Sequence, residues 1–260
     1  MATLSIRIPK EEPLVYVLCA ARVILLAIPL LLLLPLHLIF QLFKIPSPWA
    51  MMYLRIVSRV LGARVKVYGT RRRKDVFFVA NHISWHDIPI LGGVTGTAFV
   101  AQDGVRKWPI IGWLAAQNRT IFVSRTEKQN VAGQVAELRE AIAENWSVTL
   151  FPEGTTSDGL GLLPFKPSLF ATLAPPPKPM LIQPVYLDFG DAGPDIAWLG
   201  EETGWESAWR AFTRPGSYDV GVHFLEPFDP GQCTDRKDVC AQARRRITTA
   251  MSARLGRPVH

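Results

Sequence analysis

The sequence predicts an α/β domain with a mixed, mostly parallel sheet flanked by helices, preceded by an N-terminal membrane-embedded helical element. Three observations lead there. Short β-prone apolar runs alternate with stretches of helical periodicity, as in strands joined through helices. A nearly unbroken apolar segment, residues 14–43, precedes them. Between the two, residues 49–61 place apolar side chains and arginines on opposite sides of a helix.

From Val23 to Phe43 only His37 and Gln41 are strongly polar. The segment therefore reaches the roughly 20 residues that a hydrocarbon core requires. It is too long for a signal peptide, and no small-residue cleavage site follows. Pro29 and Pro35 are expected to interrupt its helix, and Pro46 and Pro48 to break the chain after it. In the next helix Arg55 and Arg59, four apart, are expected to face lipid phosphates. A hairpin in one leaflet accommodates both segments, as does a single span followed by a surface helix. Residues 1–62 thus read as membrane-associating helices and 63–260 as the globular domain.

In that domain Val65 and Val67 alternate with Arg64 and Lys66 as a strand that Gly69 ends, and Arg71 to Lys74 form a basic turn. Val76-Phe77-Phe78-Val79-Ala80 is short and β-prone enough for a buried strand. It runs into Asn81-His82-Ile83-Ser84-Trp85-His86-Asp87, and Pro89 just beyond is tolerated only if a helix has just begun. Further strands are expected at 97–101, 120–123, 148–151, 180–187 and 218–224, with helices at 105–116 and 127–145. A last helix, 235–255, turns Val239, Ala243, Ile247, Met251 and Leu255 inward and stops at Gly256.

The formal net charge of +7 favours an anionic partner such as nucleic acid, anionic lipid or a phosphorylated substrate. Nucleic-acid binding alone leaves the apolar segment unexplained. Three cysteines give neither a disulfide framework nor zinc spacing, which fits cytosol-facing chemistry. Five histidines are too few for a multi-histidine di-iron site. His82 and His86 lie four apart, yet no further zinc ligands accompany them.

Chemistry-bearing residues gather at strand ends, where open α/β sheets bind ligands. His82 and Asp87 are five apart, so they share no helix face and meet only if His82 precedes the helix that Asp87 begins. A carboxylate on one imidazole nitrogen leaves the other free to take a proton. Arg125 suits a phosphate, and Glu153 and Thr155 suit hydrogen bonds to a polyol. No serine or cysteine sits in a nucleophile elbow.

Asn81-His82 through Asp87, followed by Phe151-Pro152-Glu153-Gly154-Thr155, resembles the lysophospholipid acyltransferase family, with its histidine–four residues–aspartate and Pro-Glu-Gly-Thr motifs. The blocks Lys107 to Gly112, Thr120 to Arg125 and Leu181 to Val185 are similar to that family in the same order, so the resemblance covers about residues 69–228. It implies a glycerol-3-phosphate acyltransferase-like sheet, a two-helix membrane element, no metal and no cofactor. It implies that His82, held by Asp87, deprotonates a lysolipid hydroxyl that attacks the thioester of acyl-CoA or acyl carrier protein. It further implies that Arg125, Glu153, Gly154, Thr155 and Lys166 bind substrate, and that the acyltransferase domain faces the cytoplasm from the inner membrane. Thr156 stands where the family commonly has arginine, and Phe165-Lys166-Pro167-Ser168 departs from its usual lysine-bearing segment. That region looks more like the lyso-ornithine lipid acyltransferase branch, whose acceptor lacks a phosphate. Lysophosphatidic acid and lyso-ornithine lipid both remain open as acceptors. A non-catalytic lipid-binding relative is expected to lack His82 or Asp87, and both are present.

Overall fold

The structure, a computed structural model, describes residues 13–43, 45, 47–123, 131–144 and 147–259. Its centre is β2 (Val76–Ala80), buried at all five positions as its unbroken apolar run requires. Alternate residues of β2 feed two apolar layers: Phe77 and Val79 on one face of the sheet, Val76, Phe78 and Ala80 on the other. Around it stand β1 (Ala63–Tyr68), β3 (Ala98–Gln102), β4 (Ile121–Val123), β5 (Ser147–Leu150), β6 (Leu181–Asp188) and β7 (Tyr218–Phe224). The order is β1-β7-β6-β2-β5-β3-β4, and β6 with β7 is the one antiparallel neighbour pair among the described strands. The mixed, mostly parallel sheet agrees with expectation. Because β2, β3, β5 and β6 run the same way, their carboxyl ends share one edge.

Helices α1 (Pro13–Leu42), α2 (Trp49–Val60) and α3 (Asp87–Thr95) precede β3. The helix expected at 105–116 is two, α4 (Asp103–Arg106) and α5 (Pro109–Gln117), because Trp108 is extended and Pro109 opens the second at its first turn. Helix α6 (Val131–Glu144) agrees with its expected position; 127–130 and 145 lie outside the described residues. Helices α7 (Gly193–Ile196) and α8 (Gly204–Thr213) had no counterpart in the sequence reading. Yet α8 opens with a capping box: Glu206 N donates to Thr203 Oγ1, and Thr203 N donates to Glu206 Oε2. Helix α9 (Arg236–Leu255) is capped by Asp235 and buries Val239, Ala243, Ile247 and Met251 as expected, with Leu255 partly buried.

One expectation about the N-terminal helices needs correction. Helix α1 runs unbroken through Pro29 and Pro35. Each proline leaves one upstream carbonyl without its helical donor, a loss of about 3 kcal/mol in an ordinary helix. Apolar helices tolerate it through small local adjustments and contacts with neighbours. Its buried residues, Val15, Arg22, Leu26, Leu33 and His37, recur at intervals of seven and four, so they form one line facing the domain. That line extends over about 33 Å of helix. The opposite face is exposed and apolar, with Leu31 at 71%. By length and composition α1 could cross a membrane; docked along its length, it lies beside the domain rather than projecting from it.

In α2 Arg55 is exposed, and its Nε donates to Gly93 O at 2.9 Å, at the electronegative C-terminal end of α3. Close approach of α2 to α3 dictates this. A Cβ on Gly93 would stand 2.8 Å from Arg55 N, and one on Gly92 would stand 2.6 Å from Leu54 Cδ1.

Candidate active site

At the end of β2, Asn81 extends the pairing with β6 through its side chain. Its Oδ1 accepts from Leu187 N at 2.7 Å and its Nδ2 donates to Leu187 O at 3.0 Å. The chain then leaves the sheet at His82 and turns into α3, whose first residue is Asp87. The Asp87 carboxylate lies at a helix N-terminus, where partial positive charge favours an anion. Its Oδ2 accepts from His82 Nδ1 at 2.7 Å, Ile83 N at 2.7 Å and Ser84 N at 3.1 Å. Asp87 has no exposed surface, while the His82 side chain keeps 20%. With Nδ1–H donated to Asp87, Nε2 is left as an acceptor, and it has no hydrogen bond among the described residues. The imidazole stacks on Phe151, ring centroids 4.3 Å apart and planes 18° apart.

The β5 loop meets this turn because β2 and β5 are parallel neighbours. Glu153 is buried. Its Oε1 accepts from His82 N at 2.7 Å and its Oε2 from Leu163 N at 3.0 Å. Both carboxylate oxygens therefore hold backbone, and the expectation that Glu153 meets a polyol hydroxyl does not fit this geometry; it positions His82 instead. Burial pushes its pKa up to about 7, with Asp87 adding to the rise, while the two backbone donors oppose it. The His82 carbonyl is fixed as well, accepting from Ser157 N at 2.8 Å and Ser157 Oγ at 3.1 Å. The Ile83 carbonyl accepts from Trp198 N at 3.0 Å.

Gly154 turns the loop in the left-handed region, φ +68°, and its carbonyl accepts from Gln102 Nε2 at the end of β3. Thr155 is exposed. Thr156, in place of the family's arginine, donates its hydroxyl to the Trp198 carbonyl. Lys166 is tied to this loop through its backbone, N to Pro152 O at 3.0 Å, and its side chain is exposed. Arg125 lies outside the described residues. His86, the nearby histidine, is buried against Tyr218, Nδ1 to OH 2.7 Å. Burial first, then the charges of Arg210, Arg214 and Arg22, push its pKa down to about 3, so it stays neutral and inward.

The structure thus brings His82, Asp87, Glu153, Gly154, Thr155 and Lys166 to one edge of the sheet. Sequence reasoning assigned no role to Asn81, Phe151, Ser157 or Trp198. Ser157 stood within the loop after β5, but its bond to His82 joins positions far apart in sequence.

The family model described as Acyltransferase matches residues 64–188. The lyso-ornithine lipid O-acyltransferase of Rhizobium meliloti (strain 1021) is 37% identical over 216 residues, 77% of this chain and 74% of that protein. The protein of the same name from Rhodobacter capsulatus is 33% identical over 244 residues, 85% of each chain. A 1-acyl-sn-glycerol-3-phosphate acyltransferase of Neisseria gonorrhoeae is 36% identical over 110 residues, 42% of this chain and 43% of that protein. Among solved structures, the 1-acyl-sn-glycerophosphate acyltransferase PlsC of Thermotoga maritima shares the fold, with TM-score 0.60 and 21% identity over 81% of this chain and 80% of that one.

Proposed function

The chain belongs to the acyltransferase family, and from that premise we propose that it esterifies the hydroxyl of a lyso-ornithine lipid with a fatty acyl group. The acyl group comes from the thioester of acyl-CoA or acyl carrier protein, and His82 acts as general base. The observation that carries the chemistry is the His82–Asp87 pair, with Nδ1 bonded to a buried carboxylate and Nε2 without a hydrogen bond among the described residues. Nε2 takes the hydroxyl proton as the oxygen attacks the thioester carbon. The C–S bond then breaks, and the proton passes from the imidazolium to the departing thiolate. An ester and a free thiol result, with no covalent enzyme intermediate. Asp87 stabilises the imidazolium, and Glu153, Ser157 and Trp198 hold the backbone that aims it.

For the acceptor, the support is coverage. The lyso-ornithine lipid relatives match over most of the chain, whereas the Neisseria relative matches over less than half. Thr156 agrees with an acceptor lacking phosphate, since its hydroxyl is engaged by Trp198 and it offers no charge. Lysophosphatidic acid is the second reading, favoured by the 36% identity of that shorter match. Helix α1 and α2 seat the enzyme in one leaflet of the inner membrane, with the sheet on the cytoplasmic side where both donors occur.

Acyl transfer by the reconstituted protein tests the base. His82→Ala should lower kcat by about 10²–10⁴-fold. Undiminished transfer would remove His82 from the mechanism.

A further inference from the structure

Helix α1 is not the only apolar surface left open. Helix α5 carries no charged residue and turns Ile110, Ile111 and Trp113 outward, Ile110 at 70% exposure, with Trp108 also exposed at its start. Gly112, on its opposite side, is buried; a Cβ there would stand 2.4 Å from Arg106 O. The outward direction of the three apolar side chains is therefore set by the tight α4–α5 corner. The patch continues onto α8, where Gly204 abuts the Trp108 indole and Trp205 is 82% exposed.

Two features identify what covers this patch. First, α5 is joined to α1: the last residue of α5, Gln117, accepts at its carbonyl from His37 Nε2 at 3.1 Å, and Gln41 Nε2 reaches the same oxygen at 3.4 Å. The C-terminal end of α5 is thus held against α1, the helix with the long exposed apolar face. Second, exposed Arg106 and Lys107 immediately precede Trp108. Cation, then indole, then aliphatic side chains is the order met on passing from lipid phosphates to acyl chains.

We propose that α5 is a second lipid-seated element, in which Ile110, Ile111 and Trp113 enter the acyl-chain region of the leaflet that holds α1 while Arg106 and Lys107 stay at its phosphates. This rests on reading the protein as a membrane lipid acyltransferase, and it adds a contact remote in sequence from residues 1–62. Its consequence is local. Gln102, the residue before α4, holds the Gly154 carbonyl, so lipid reaches the protein beside the loop that supports His82.

The test uses the full chain in vesicles of zwitterionic and anionic phospholipid. Ile110→Asp and Ile111→Asp change exposed positions outside the catalytic machinery. Each should raise KM for a long-chain lysolipid presented in the bilayer by about ten-fold, since a carboxylate there is disfavoured in apolar surroundings. Each should leave the rate with a water-soluble short-chain lysolipid unchanged. Independently of turnover, bromine-labelled acyl chains should quench tryptophan emission, and Trp113→Phe should remove part of that quenching. Equal effects on bilayer and soluble acceptors, quenching unaltered by Trp113→Phe, or a detergent-solubilised dimer that Ile110→Asp dissociates would each overturn the proposal. An unmodified protein that transfers acyl groups to neither lipid would overturn the acyltransferase reading instead, and the quenching result would still decide where α5 sits.

Discussion

Replacing Asp87 by asparagine removes one negative charge from a fully buried site while keeping the side-chain shape. The amide oxygen can take the place of Oδ2 and accept from His82 Nδ1, Ile83 N and Ser84 N. The amide nitrogen then occupies the position of Oδ1, which is buried without a hydrogen-bond partner among the described residues. That orphaned donor costs about 1–3 kcal/mol, offset in part because a buried charge has been removed. The effect on rate is larger. At the 2.7 Å separation of His82 and Asp87, attraction between imidazolium and carboxylate is worth about 6 kcal/mol at an effective dielectric of about 20. That sets a ceiling of about 10⁴-fold on kcat, and half of it corresponds to about 10²-fold. The expected result is a fall of kcat between those limits with little change in the KM of the acyl donor. The assay is transfer of a labelled acyl group in vesicles, with thermal melts to establish that the variant is folded. Because the two residues act as one unit, Asp87→Asn added to His82→Ala should cause no comparable further loss. Fully multiplicative losses, or a kcat within about three-fold of the unmodified enzyme, would refute the coupling.

Two further outcomes follow from the surrounding structure. Glu153 has a folded pKa near 7 against an ordinary 4.5, so between those values the folded protein keeps a proton that the unfolded chain loses. The contribution of Glu153 to stability is therefore largest below the lower value and declines as pH rises through the window, by about 3 kcal/mol in all, while the lowered pKa of His86 contributes in the opposite sense. Glu153→Gln should remove that contribution, so the stability difference between the two proteins should change across the range in denaturant unfolding; an identical slope in both proteins would contradict the assignment. Arg22, buried in α1, donates to the carbonyls of Ala211 and Phe212 at the end of α8, at 2.9 and 3.1 Å. Arg22→Met should destabilise the protein by about 2–5 kcal/mol, since a charged donor is lost twice. Arg22→Lys should restore part of that, and equal melting temperatures for all three would show that α1 is not held there.

Much of the fold follows from local pattern. Helix α9 and strands β2 and β7 are legible because burial on a fixed period is written in consecutive residues, and His82 and Asp87 because only four residues separate them. Where pairing is remote, the sequence is silent. Glu153 looks like a substrate ligand until the β2–β5 register delivers it to the His82 backbone, 71 positions away. The course of α1 through Pro29 and Pro35 runs against backbone propensity, and no local pattern announces it. Helix α8 carries a weak signal, since it is only 10 residues long, yet it supplies Ser207 to Trp85 and carbonyls to Arg22. The orientation of Arg55 depends on Gly92 and Gly93, whose missing side chains admit α2.

The most direct test of the central claim is acyl transfer by the full chain in vesicles, with lyso-ornithine lipid and lysophosphatidic acid offered together and both acyl-CoA and acyl carrier protein thioesters supplied. The account predicts an ornithine lipid ester as the main product, lost in His82→Ala. Phosphatidic acid as the main product, or ester formed equally well without His82, would contradict it.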